Sequence, residues 1–285
     1  MKKIRIFIAS IMLILSCNAV HTYAKELNSS DINILNKSWN IKFNSDLDES
    51  SISRDNVYIK DQYGNKLKTL IKCHKNIVTL TPQENYDYNG KYKLYVEAGV
   101  KSQSGKQLKE QTSMKFNTND MLKYEEMKLN KLNLYMSPTE VKDILGEPKR
   151  IEKKDEVSID LVDLIYYYDN IKVGFAYNII NKEYYIWNMD ANSPSIIGPR
   201  GIKVDDSVES VLNKFPVVEE NIKEDGIKIL YGEEYANNGQ ILYDENGNMD
   251  KIRYMCGKGS FDMDVFEIQI KDNKVLSISI WTPTV

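Results

Sequence analysis

The amino-acid sequence predicts an all-β sandwich followed by an α+β region with two repeated helix-plus-antiparallel-sheet units. Three observations carry that expectation. Between Trp39 and Thr118, short runs alternate apolar and polar residues with period two and are punctuated by turn residues. Beyond residue 130 the chain matches itself at a shift of about 70 residues. Each copy of that repeat opens with a readable helix start.

The N-terminus comes first. Met1 to Ala24 carries Lys2, Lys3 and Arg5, an apolar stretch from Ile6 to Leu15, and small residues near Ala24. Those are the three parts of a secretory signal, with cleavage expected after Ala24 because Thr22 and Ala24 occupy the positions where small side chains are wanted. The apolar stretch falls short of the about 20 residues that cross a bilayer, so no transmembrane segment is expected after signal cleavage. Ile14-Leu15-Ser16-Cys17 looks like a lipobox, which makes lipid anchoring at Cys17 the alternative. The whole chain carries a formal charge of −3, and loss of the signal makes it more negative. Nucleic acid is therefore not an expected partner, since affinity for phosphates rests on clustered Lys and Arg. Frequent Lys, Asn, Ile and Tyr point to an AT-rich, Gram-positive host.

Residues 25–118 form the expected sandwich. Trp39, Ile41 and Phe43, then Val57 and Ile59, Val78 and Leu80, Tyr92, Leu94 and Val96, and finally Met114 and Phe116 are its inward stripes. Tyr63-Gly64-Asn65 and Asn89-Gly90-Lys91 fall between stripes as turns. Trp39-Asn-Ile-Lys-Phe43, Leu80-Thr-Pro82, Gly90-Lys-Tyr92, the loop from Val100 to Lys106 and Met114-Lys-Phe116 resemble the bacterial Ig-like module first described in surface-layer proteins. That resemblance implies an all-β Ig-like sandwich that serves as a spacer or adhesive module on the cell surface and brings no catalytic residues.

Residues 119–130 read as a charged linker with helical character. The repeats follow at 131–197 and 198–285. Ser137 is an N-cap candidate, Pro138 suits the first helical position and Glu140 completes a capping box. Ser207 caps the second helix. Val141, Ile144 and Leu145, and likewise Val208, Val211, Leu212 and Phe215, give each helix one apolar face. Strands are expected at 164–168, 171–177 and 183–187, then at 227–231, 240–243, 251–255, 265–270 and 275–281, with 198–201 as the joint. The helix pattern from Met136 to Pro148 resembles a family of small secreted α+β modules. That family includes the small lipoprotein of the outer-membrane barrel-assembly machinery and the tandem β-lactamase inhibitor protein. The second copy departs from it with Phe215-Pro216 where Leu-Gly is usual. The resemblance implies a non-catalytic module that binds proteins or supports envelope structure.

Chemistry is scarce. His74 is the one histidine left after signal cleavage, and Cys73 and Cys256 are the two cysteines; all three read as structural or merely exposed. The acidic loop Asp244 to Asp250 reads as a hairpin turn around Asn246-Gly247 rather than a calcium site. Neighbouring acids such as Glu219 and Glu220, or Glu233 and Glu234, read as solvated. No cofactor and no metal are expected. The aromatic run is the most suggestive feature. Tyr166, Tyr168, Tyr177, Tyr185 and Trp187 are candidates for an exposed binding face, against the plainer reading that such rings only fill half-buried strands. The expectation is an exported, non-enzymatic binding protein, whose partner is an envelope or extracellular protein or a cell-wall component. A structural envelope component without a ligand is the alternative, and a hydrolase the remotest.

Overall fold

In a computed structural model, the protein is described over residues 25–153, 164–219, 226–232, 237–259 and 262–283. The signal segment, Cys17 and His21 lie outside the described residues, as do Glu220, Glu233 and Glu234. The chain divides into two units, one ending at Asn119 and the other starting at Asp120.

The first unit holds β1 (Lys25–Ile32), β2 (Trp39–Lys42), β3 (Val57–Asp61), β4 (Thr69–His74), β5 (Ile77–Pro82), β6 (Lys91–Val96) and β7 (Thr112–Thr118). They form two sheets, in the orders β1-β7-β6-β3 and β2-β5-β4, with only the β1–β7 pair parallel among these. Alternation explains the rest, because every second side chain of a strand faces the opposite sheet. Trp39, Ile41, Val78 and Leu80 from one sheet share a core with Val57, Ile59, Leu94 and Phe116 from the other. Trp39 packs 4.7 Å from Phe116, and its indole N–H donates to the Tyr86 hydroxyl at 3.2 Å. That hydroxyl in turn donates to the carbonyl of Lys37, so the two polar atoms buried with the rings are satisfied.

The second unit overturns the expected pair of repeats. After the short β8 (Lys128–Leu129) and β9 (Leu132–Asn133) come α1 (Pro138–Leu145), β10 (Arg150–Lys153), β11 (Leu164–Tyr167), β12 (Ile171–Asn178) and β13 (Glu183–Ala191). Then follow α2 (Val208–Leu212), β14 (Ile227–Gly232), β15 (Asn238–Tyr243), β16 (Met249–Gly259), β17 (Asp262–Lys271) and β18 (Lys274–Trp281). β10 to β18 make one nine-stranded antiparallel sheet in the order β10-β11-β12-β13-β18-β17-β16-β15-β14. The fold is mostly β, with two α-helices among the described residues, and does not split into two helix-plus-sheet units. The reason is the joint at the middle: β13 pairs with β18, the last strand, from Asn188↔Trp281 to Ala191↔Ile278. Two separate sheets would have left both of these strands with exposed edges of unpaired amides and carbonyls. The helices are also unequal. α1 has the full capping box, with Ser137 Oγ accepting from the Glu140 amide at 3.3 Å and Glu140 accepting from the Ser137 amide at 2.7 Å. α2 has five residues and one cap bond, from the Ser210 amide to Ser207 Oγ.

One sheet face carries the core. Tyr166, Val173, Phe175 and Met189 are buried on it, joined by Ile278, Ile280, Phe266 and Tyr254 through the strand register. Phe215, just past α2, stacks 3.8 Å from Tyr254. Residues 120–134 close the same side: Leu122, Met127, Leu129, Leu132 and Leu134 are buried, and the Leu122 amide donates to the Tyr231 hydroxyl at 3.2 Å. The stretch read as a linker therefore supplies core residues. Arg200, at φ 55°, holds it in place. Its guanidinium donates to the carbonyls of Asp120 (2.8 Å), Met121 (2.7 Å) and Lys214 (2.6 Å), and to both carboxylate oxygens of Glu126 (3.0 and 3.1 Å), while lying 4.5 Å over the Phe215 ring. Burial would raise the Glu126 carboxyl, but the Arg200 hydrogen bond and charge hold it below the usual range.

Two outcomes follow from these contacts. Arg200→Met should cost about 2–3 kcal/mol at neutral pH, because it strands a half-buried carboxylate and three carbonyls. A carboxyl held low when folded stabilises above its unfolded value of about 4.3 and loses that contribution as pH falls through its folded value. Urea unfolding at several pH values should thus show the gap between native and variant chains closing in acid. Tyr254 is fully buried and its hydroxyl has no hydrogen-bond partner among the described residues. Tyr254→Phe should therefore leave the melting temperature unchanged or raised, whereas Tyr254→Ala should cost about 3–5 kcal/mol.

Candidate functional site

The second face of the nine-stranded sheet is where the rings reach solvent. β12 and β13 pair in step until Gly174 meets Asn188 and Phe175 meets Ile186, leaving Trp187 as an extra residue in a β-bulge. Strict alternation would send Trp187 and Asn188 to opposite faces. The bulge instead places Tyr185, Trp187, Asn188 and Asp190 all on the second face, while Ile186 and Met189 point into the core. β18 brings Trp281 directly opposite Asn188, and the Thr282 amide donates to the Trp187 carbonyl at 3.1 Å. β16 and β17 add Arg253 and Glu267, opposite each other.

The charges on this face are matched internally. Glu267 accepts from Arg253 Nη2 at 2.6 Å and lies 3.4 Å from Lys251, and the Arg253 guanidinium sits 5.7 Å from the Trp281 ring centroid. Asp190 lies 3.7 Å from Lys172 and accepts from Asn188 Nδ2 at 3.2 Å. Burial raises the Asp190 carboxyl; Lys172 opposes that shift and Glu267 adds to it. Asn188 Oδ1 is buried without a hydrogen-bond partner among the described residues. At the rim, Tyr135 is 47 % exposed, adopts φ 71° and stacks 5.9 Å from Tyr185. Its hydroxyl donates to the buried Asp264 carboxylate at 3.3 Å. An open groove of about 800 Å³ runs beside it, lined by Ser137, Glu140, Asn178, Glu183, Tyr184 and Tyr185.

The five aromatic candidates do not share one surface. Tyr185 and Trp187 lie on the second face, 6.1 Å apart and edge to face. Tyr166 is buried on the core face, 4.9 Å from Phe175, so its part in an exposed face is corrected: it pairs opposite Val173, an inward residue. Tyr177 pairs opposite Tyr184 on that inward side and is half-buried. Tyr168 lies past the end of β11, where its hydroxyl donates to the Gly146 carbonyl at 3.2 Å and burial pushes its pKa up to about 12. Reading the sequence missed Tyr135, Asn188, Asp190, Arg253, Glu267 and Trp281. The only local signal for them is the crowding of large side chains at 184–187, which a bulge accommodates.

The other sites considered stay inert. Cys256 is buried and its thiol is pushed up to about 11 by burial and by nearby carboxylates, Asp264 first. Cys73 is half-buried rather than fully buried, and burial raises it too. A thiol shifted upward is a poor nucleophile. His74 is exposed. Asp244 turns its carboxylate inward, accepting from the amides of Asn246 (3.0 Å) and Asn248 (2.7 Å) around Gly247 at φ 77°, as a hairpin turn requires. No group of three or more His, Cys, Asp or Glu residues placed to hold a metal occurs among the described residues. No described helix is long and apolar enough to cross a membrane.

No curated protein matches the chain. A solved structure, described as the N-terminal part of the bacterial S-layer protein SbsC, aligns at 13 % identity and a TM-score of 0.27, over 64 % of this chain and 42 % of that one. The chain thus spans less than half of that structure. Nothing in these comparisons joins residues 131–285 to the small α+β modules that the helix pattern resembles. Residues 20–118 match the family model described as Bacterial Ig-like domain, which places the sandwich of the first unit among bacterial Ig-like domains.

Proposed function

We propose that the protein is exported and acts at the cell surface or in the surrounding medium as a non-catalytic binding protein. In this reading the Ig-like sandwich is a spacer or adhesive module, and the second unit contacts an envelope protein or a cell-wall component. The single observation that carries it is the β13 bulge, which gathers Tyr185, Trp187 and Asn188 beside Trp281 on a face that keeps these rings half-exposed. Aromatic side chains offer large contact area at low entropy cost and concentrate at recognition surfaces. The ionic groups of the face already pair with each other, and no thiol or imidazole faces them among the described residues, which favours binding over covalent chemistry. The segment Met1 to Ala24 and the Ig-like match support export.

Full-length chain expressed in a Gram-positive host should appear in the medium or envelope fraction with Lys25 as its first residue, or remain membrane-attached through Cys17 if lipidated. Retention in the cytosol would end the export reading. The processed chain should be retained by purified cell walls or by envelope proteins. Trp187→Ala should abolish that retention while leaving the melting temperature within a degree or so, as for a surface substitution. Retention that Trp187→Ala leaves intact, or none at all, would instead favour a structural component without a ligand.

A further inference from the structure

We propose that the bulged face of the second unit binds a linear glycan strand of the cell wall, with sugar rings against Trp187 and Trp281 and Asn188 as hydrogen-bond acceptor. This deepens the binding function proposed above and rests on it. Charge complementarity comes first. Asp190 is matched by Lys172, and Glu267 by Arg253 and Lys251, so the face presents no unbalanced charge to a partner. A phosphate-bearing polymer or a cationic peptide would have to break these pairs, whereas a neutral, hydroxyl-rich chain can hydrogen-bond to their outer edges.

The layout fits a polymer. Lys172, Asp190, Ser279, Glu267, Arg253 and Gln240 lie directly opposite one another on six successive strands, β12-β13-β18-β17-β16-β15. Neighbouring strands lie about 4.8 Å apart, so polar groups recur at even intervals along a line across the sheet. Trp281 and Asn188 sit side by side in the adjacent row. Indole faces stack on the C–H faces of sugar rings, for which they supply apolar area without demanding charge. Asn188 has its amide N–H₂ engaged by Asp190 but its buried Oδ1 unpaired, an acceptor that a sugar hydroxyl or N-acetyl amide would satisfy. A protein partner fits less well, because protein interfaces centre on a dehydrated apolar core and the centre of this face is a polar row.

The test uses the processed chain, residues 25–285, with an N-acetylglucosamine tetrasaccharide and with cell walls stripped of anionic polymers. Of the three tryptophans, Trp39 is buried in the sandwich at 4 % exposure, so a ligand-dependent change in indole fluorescence reports Trp187 and Trp281. The proposal expects saturable quenching by the tetrasaccharide that persists in high salt, because the ligand is neutral. Trp187→Ala and Trp281→Ala, on different strands, should each weaken affinity by about tenfold or more, with Trp281→Phe recovering much of it. Melting curves for each variant separate lost binding from lost folding. No quenching by the tetrasaccharide, or binding that both alanine variants retain, overturns the glycan assignment. Walls that hold the native chain but not Trp187→Ala, without competition from the tetrasaccharide, would overturn the glycan while sparing the binding function. Failure to bind either walls or envelope proteins would overturn both.

Discussion

The pairing of β13 with β18 is the constraint on which the second unit rests. It hydrogen-bonds a strand from the middle of the chain to its last strand and so merges nine strands into one sheet. Once merged, the sheet has two continuous faces. The helices, Phe215 and residues 120–134 cover one, through contacts such as Phe215 on Tyr254 and Lys142 over Tyr166. The other is left to the polar rows, Tyr185 and the two exposed tryptophans. The same pairing sets Trp281 beside Asn188, so the architecture and the candidate site have a common origin.

Arg200 illustrates how a loop is made rigid without much apolar area. Five hydrogen bonds from one guanidinium tie residues 120–126 to the end of α2. A lysine, with its point-like ammonium and flexible stem, could not reach the same carbonyls and carboxylate in one plane. Leu122, Met127 and Leu129 can then stay buried in a stretch that is otherwise charged. The planar cation over Phe215 links this clamp to the Tyr254 stack, so the loop, the end of α2 and the sheet core are mechanically coupled.

Function on this reading comes from a local irregularity in a regular sheet. A bulge adds one residue, and the extra residue turns Trp187 and Asn188 to the same side. The rings and the amide gain a shared surface at the expense of one unpaired acceptor, Asn188 Oδ1. Unsatisfied buried polar atoms are uncommon in folded proteins, and one placed between two partly exposed indoles is most economically read as a ligand contact.

The sequence by itself determined what depends on near neighbours. The inward stripes of the sandwich, the Ser137–Glu140 capping box, the Ser207 cap and the Asn246-Gly247 turn all involve residues within a few positions of each other, and period or side-chain chemistry reveals them. Tyr185 and Trp187 were legible as a pair on one face for the same reason. Tertiary structure alone decided that the apparent repeats share one sheet, that Tyr166 points inward, and that Trp281, Arg253 and Glu267 join Asn188. Strand pairing at long range is chosen by which edges meet and by the one-residue slip of a bulge, and neither leaves a periodic trace in the chain.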